Sequence, residues 1–206
     1  MLISRHSSPG FSMVELLIGI AIVSVLLAVG LPQFSTYLQN SQIRSGSESM
    51  LAGLQAARTE AVRRNTSMRF QLTSSVDSTC ALSTTGKSWV VSQRDPSGLC
   101  DVAPTADGAV ADPANPEIRQ KRSGAESSTN LVVVADQSAI VFNSLGQQTP
   151  AATVNLNLSN PTGGDCKTST GSEPMRCMRI VVSPGGQIRM CDPAVPVSVP
   201  PDNRSC

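Results

Sequence analysis

Phe11 to Leu31 forms an apolar run 21 residues long with a single charged side chain, Glu15. No further charge follows until Arg44. At 1.5 Å per residue, about 20 apolar residues suffice for a helix to span a bilayer's hydrocarbon core. The carboxylate is what constrains this segment. At a helix centre in lipid, an ionised acid costs about 2.5–3.5 kcal/mol on insertion scales. The cost is smaller near a helix end, but the group still needs a partner.

The flank before this run is short and polar. Residues 1–10 carry Arg5 and His6. Basic residues on a short flank keep that end cytoplasmic, which places the bulk of the chain beyond the membrane. A secretory signal peptide would have a shorter apolar core and a small-residue cleavage site after it. No clean A-x-A site follows here. A plain single-pass anchor explains the length, but neither Glu15 nor the abrupt Gly10-Phe11 junction.

The octapeptide Gly10-Phe11-Ser12-Met13-Val14-Glu15-Leu16-Leu17 resembles the class III signal of type IV prepilins. The resemblance implies a leader peptide at 1–10 and cleavage after Gly10 by a prepilin peptidase. It also implies N-methylation of the new Phe11 amine. Residues 11–31 would then be both transmembrane and polymerisation helix. Glu15 would be an assembly residue, its carboxylate meeting the N-terminal amine of a neighbouring subunit in a charge-assisted contact. Gly19, Gly30 and Pro32 interrupt helix-forming composition. Such breaks are tolerated in membrane helices. By resemblance to pilins, Pro32 marks a helix break that loosens inside the filament.

Residues 32–66 read as an amphipathic continuation of the helix. Ile43, Met50, Leu51, Leu54, Ala57, Ala61 and Val62 recur near helical spacing, with Arg44, Glu48, Arg58, Arg63 and Arg64 between them. The stripe is expected to pack on a sheet. Leu54 to Arg64 resembles the helix of the pseudopilin H and FimT-type minor pilins. Arg63-Arg64 is either a polyanion contact or a solvated helix end, where cations favour the dipole.

Residues 67–206 read as a β-rich periplasmic head. Strands are expected at 68–73, 88–92, 131–135, 139–142 and 153–158, with a long loop at about 95–130 interrupted by a short strand near Ile118. Cys177 to Ser183 and Gln187 to Cys191 form a hairpin about Pro184-Gly185-Gly186. This hairpin resembles the closing hairpin of the same minor pilins. Aromatics are only 3% of the chain, so the head is thin and rich in loops.

All six cysteines, Cys80, Cys100, Cys166, Cys177, Cys191 and Cys206, follow the anchor. An even count in an oxidising compartment points to disulfides. No C-x-x-C occurs, and the only histidine is His6, so no metal site is read. Six cysteines allow 15 pairings. Bridging neighbours gives Cys80–Cys100, Cys166–Cys177 and Cys191–Cys206. A turn centred near Pro184-Gly185 would set Cys177 almost opposite Cys191, so a Cys177–Cys191 bridge stays open.

No catalytic residues and no cofactor are read. Beyond the leader no histidine can serve as a base. Thr85-Gly86-Lys87-Ser88 is similar to the end of a phosphate-binding loop, but Ala81 stands where that loop needs a glycine. FimT-type pilins bind DNA through a glycine-arginine-x-arginine motif. Gly186-Gln187-Ile188-Arg189 matches it with Gln187 in place of the first arginine. Arg179 and Arg189 remain as possible DNA contacts, weakened because each lost phosphate contact lowers affinity and salt slope. Surface strand residues are the favoured reading of both.

The expected fold is α+β and pilin-like, a long N-terminal helix packed on an antiparallel sheet domain. The expected function is that of a minor pilin in the initiation or tip complex of a type IV pilus, serving twitching motility or adhesion. Its partners would be other minor pilins, the major pilin, the prepilin peptidase and the inner membrane. An H-type pseudopilin of type II secretion and a DNA-binding pilin for natural transformation are the alternatives.

Overall fold

The computed structural model describes residues 11–108, 112, 114–126, 129–198 and 202–206, except the side chains of Val29, Leu31 and Pro32. Helix α1 spans Met13–Arg64. Among the described residues nine strands follow: β1 Met68–Thr73, β2 Ser88–Ser92, β3 Ile118–Arg122, β4 Val132–Ala135, β5 Ala139–Phe142, β6 Gln148–Thr149, β7 Val154–Ser159, β8 Met178–Val182 and β9 Ile188–Cys191. The chain divides into two compact units, with the boundary between Leu38 and Gln39. The backbone of α1 is helical through Pro32. Loosening there is therefore an expectation for an assembled filament, not a feature of this chain alone.

In the second unit, α1 presents Ile43, Ser47, Met50, Leu54, Ala57 and Ala61 as fully or almost fully buried residues. Their spacing alternates four and three, which draws one stripe down the helix. Ser47 fits this apolar row because its hydroxyl donates to the Ile43 carbonyl at 2.8 Å. Val62 does not belong to it. It is 51% exposed, because the helical period turns that position away. Helix α1 ends at Arg64 rather than Thr66. Asn65 takes a φ of 51°, the Asn65 N–H donates to the Val62 carbonyl and the Thr66 N–H to the Ala61 carbonyl. This is a Schellman stop, with asparagine as the left-handed residue.

Among the described residues the head holds two antiparallel sheets. Sheet A has the order β3-β2-β1-β5-β6 and sheet B the order β4-β7-β8-β9. In sheet A, Met68, Phe70 and Leu72 stand opposite or diagonal to Val91, Trp89, Ile140 and Phe142. In sheet B, Ala135, Leu156, Ile180 and Met190 form one cross-strand row. The period-2 alternation sends these residues to one face. They join the α1 stripe in a single core. Trp89 also donates its indole N–H to Ser49 on α1 at 3.2 Å, as a buried indole requires.

The other face of sheet A is covered locally. Cys80, Val90, Cys100 and Ile118 make a second small cluster, with Val102 beside it. The Cys80–Cys100 bridge thus lies over the outer face of β2. The long loop after β2 is tied to the end of α1. Arg63 bonds both Glu60 and Asp107 at 2.9–3.0 Å, and Arg64 bonds the same pair of carboxylates. Hydrogen bonding from Arg63 holds the Asp107 carboxyl at about 2. At Glu60 burial pushes upward, but the bonds from the two arginines prevail and lower it.

Two hairpins close on the same device. Asn143 and Gln147 flank one three-residue loop, Ser183 and Gln187 the other, and each loop ends in a glycine of positive φ, Gly146 at 74° and Gly186 at 78°. The two tips touch. The Gln148 N–H donates to the Pro184 carbonyl at 3.1 Å, and a Cβ on Gly186 would strike the Gly146 carbonyl oxygen.

These close approaches can be tested at three glycines. A Cβ at Gly53 would sit 2.8 Å from Phe70 and 3.0 Å from Trp89. Gly53→Ala should therefore destabilise the head, although alanine is the better helix former by about 1 kcal/mol; a raised urea midpoint would contradict it. Gly186→Ala should cost about 1–3 kcal/mol through its left-handed backbone alone, with the tip contact adding to that. Gly185→Ala, which meets nothing within 4 Å, should stay within about 0.5 kcal/mol of the parent. Equal unfolding midpoints for the two variants would refute the contrast.

Candidate functional site

In the first unit the apolar helix is exposed on every side. Ile18, Ile20, Ile22, Val25 and Leu26 point in different directions and are each more than half exposed. A helix apolar all round belongs in lipid or inside a larger assembly. Its polar groups are handled locally. Ser24 donates its hydroxyl to the Ile20 carbonyl at 2.7 Å.

Glu15 is handled by the helix end. Ser12 immediately precedes α1, and its hydroxyl accepts the Val14 N–H at 3.3 Å. Glu15 reaches back, and its Oε2 accepts the Ser12 N–H at 2.9 Å. Ser12-Met13-Val14-Glu15 is thus a capping box, in which two orphan helix donors find acceptors. The carboxylate also lies in the first turn, where the helix dipole favours a negative charge. Ser12 was not singled out from sequence, although the spelling S-x-x-E was there to read. Phe11 is 87% exposed at the start of the described residues, while Gly10 and the rest of the expected leader lie outside them.

The structure pairs Cys80 with Cys100, Cys166 with Cys177 and Cys191 with Cys206. The alternative Cys177–Cys191 bridge does not form. In the β8–β9 ladder Cys191 stands opposite Arg179, not Cys177. The β8–β9 pairs centre on Gly185, whereas a Cys177–Cys191 pair needs a centre at Pro184, and moving the centre by one residue moves the partner by two. The Cys166–Cys177 loop packs on the helix. Asn40 accepts the Arg176 N–H at 2.7 Å and donates to the Pro174 carbonyl at 3.1 Å, while Met175 between them is fully buried. The Cys191–Cys206 bridge brings the C-terminal segment back along β9, where Asp192 bridges Ser205.

Arg179 and Arg189 lie on one face of the β8–β9 hairpin. Val181, two residues from Arg179, stands opposite Arg189. Arg179 donates to Asn157 at 2.7 Å on the neighbouring strand. Arg189 donates to the Cys206 carbonyl at 3.1 Å. Both cations are thus engaged within the fold, and Gly186 of the matched motif is accounted for by its turn. Arg63 and Arg64, considered as a polyanion contact, are matched by Glu60 and Asp107.

Thr85-Gly86-Lys87-Ser88 leads into strand β2, not into a helix N-terminus that could receive a phosphate. Lys87 donates to the Thr129 carbonyl at 2.8 Å. Among the described residues no group of three or more His, Cys, Asp or Glu could hold a metal ion.

Residues 5–31 match the family model described as the prokaryotic N-terminal methylation motif. No curated protein gives a significant match. Two solved structures are similar, both of the type IV minor pilin FimU of Pseudomonas aeruginosa strain PAO1. One, in space group P21, shows 18% identity and a TM-score of 0.47, covering 75% of this chain and 91% of that one. The other, in space group P65, shows 17% identity and a TM-score of 0.43, covering 71% and 90%. Residues 47–186, more than half of the chain, match the model described as type II transport protein GspH, so the chain belongs to the GspH family of pilin-like proteins.

Proposed function

We propose that this chain is a minor pilin that helps to initiate or cap a type IV pilus. Residues 1–10 are its leader, removed after Gly10 by a prepilin peptidase, and Phe11 is then N-methylated. Residues 11–31 hold the subunit in the bacterial inner membrane, with the head from 67 onward in the periplasm. The observation that carries this reading is the exposed, all-round apolar helix with one carboxylate at its capped start. Such a surface needs lipid around it first and other helices around it later.

Glu15 has a role in each state. In the free subunit its carboxylate is the acceptor for Ser12. In the filament it meets the Phe11 amine of a neighbour, a charge-assisted contact about twice as strong as a neutral hydrogen bond. Other minor pilins and the major pilin are the partners, chosen by the disulfide-held head. The mechanism is assembly without chemistry.

A second reading, an H-type pseudopilin of type II secretion, is favoured by the description of the matched family. DNA binding has less support, since Arg179 and Arg189 are bonded within the fold. Deleting the gene separates the readings. Loss of piliation or twitching with intact secretion supports the pilus, and the reverse supports the secretion pseudopilus.

Processing and assembly can be tested on point variants. Gly10→Ala should leave the leader attached, seen as the uncleaved mass of the purified chain; a wild-type mass would remove the processing step. Glu15→Gln retains an acceptor for Ser12 but no charge, whereas Glu15→Ala loses both. Each should accumulate in the membrane and fail to enter filaments. Filament incorporation of Glu15→Gln at the wild-type level would show that the charge is dispensable.

A further inference from the structure

The chain holds six aromatic side chains, four Phe, one Trp and one Tyr. Three of them, Phe70, Trp89 and Phe142, are buried in the head. The other three, Phe11, Phe34 and Tyr37, all belong to the first unit, and all are exposed, by 87%, 60% and 69%. They stand at the two ends of the apolar run. Phe11 begins it. Phe34 and Tyr37 lie just past Leu31, where Gln33, Ser35 and Thr36 introduce polar side chains.

The spacing has a physical scale. From Phe11 to Phe34 is 23 residues and to Tyr37 is 26, or about 35 and 39 Å at 1.5 Å per residue. A bilayer's hydrocarbon core is about 30 Å thick, and about 40–45 Å with its headgroup regions. The two aromatic sets therefore fall between the edge of the hydrocarbon and the outer limit of the headgroups, on opposite sides. That is the layer where Trp and Tyr rings are enriched. Tyr37 suits it, with an apolar ring and a hydroxyl that can stay wet.

Exposed aromatics on a polar stretch of helix have no evident use in water. A purely hydrocarbon-embedded segment would not need the polar residues beside them. The combination fits an interface. We infer that Phe34 and Tyr37 form an aromatic belt that docks on the outer headgroup layer of the membrane and sets the depth of the resident subunit. With Phe11 at the opposite layer, the helix is registered at both ends, and Glu15 is held near the inner interface rather than drawn toward the bilayer centre. The occupant of this surface before assembly is lipid. The inference rests on the membrane-anchored reading of residues 11–31.

The full chain in vesicles of mixed phosphatidylcholine and phosphatidylglycerol tests it. Tyr37→Trp and Leu26→Trp each add one indole, against a constant background from Trp89, which is buried in the head. The lipids carry bromine either near the headgroup or near the bilayer centre. Tyr37→Trp should be quenched more strongly by the shallow bromine, and Leu26→Trp more strongly by the deep one. Flotation of the vesicles reports anchoring separately. A chain that floats while its residue 37 indole escapes quenching, or is quenched more by the deep bromine, overturns the belt and leaves the anchor standing. A chain that does not float overturns both. Quenching of Tyr37→Trp that disappears as the protein-to-lipid ratio rises would assign the surface to a second copy of this helix instead.

Discussion

The head is organised around one stripe of α1. Ile43, Ser47, Met50, Leu54, Ala57 and Ala61 leave solvent together, and two sheets share that single surface. Burial of this apolar row is the main favourable term available to a domain so poor in aromatics. The stripe is made mostly of small or flexible side chains, with glycines at Gly46 and Gly53 on its margin. Backbone and sheet can then approach closely. The rings of Phe70 and Trp89 occupy the space a Cβ at Gly53 would need. Where shape replaces bulk in this way, a single added methylene is felt.

Loops form much of the remainder, and they are held by covalent and ionic ties at separate places. Cys80–Cys100 covers the outer face of β2. Cys166–Cys177 closes a short loop that Asn40 and the buried Met175 fix to the helix. Cys191–Cys206 returns the C-terminus to β9. Each bridge reduces the freedom of the unfolded chain, which matters for a thin domain whose loops bury little. The Arg63, Arg64, Glu60 and Asp107 cluster ties another loop, but Arg63 and Asp107 are exposed, so it contributes modestly.

The same economy governs the polar groups of the apolar helix. Ser24 bonds its own backbone, and Glu15 bonds the first free N–H of its own helix end. A carboxylate tolerated in this manner is satisfied but not consumed. It stands in the first turn of the helix, where the dipole favours a carboxylate. The capping box thus lets an otherwise uncharged apolar helix carry one carboxylate at its start.

Much of this was legible in the residues. The apolar run, the Gly10-Phe11 junction and Glu15 identify the kind of helix, because length and isolated charge are local properties. The strand segments and the neighbouring cysteine pairs were readable for the same reason. What required the tertiary structure is non-local. Ser47 enters the core and Val62 leaves it because the helical period and the sheets decide which face is covered. One residue in the β8–β9 turn moves Cys191 from Cys177 to Arg179. Arg179 and Arg189, read as surface strand residues, are bonded by Asn157 and Cys206, residues distant in sequence. The sequence by itself determined that this chain carries a helix long and apolar enough to cross a membrane, since hydrophobic length needs no partner to be read. Only the folded arrangement decided which polar groups are already spoken for, because that depends on contacts across the chain that no local pattern contains.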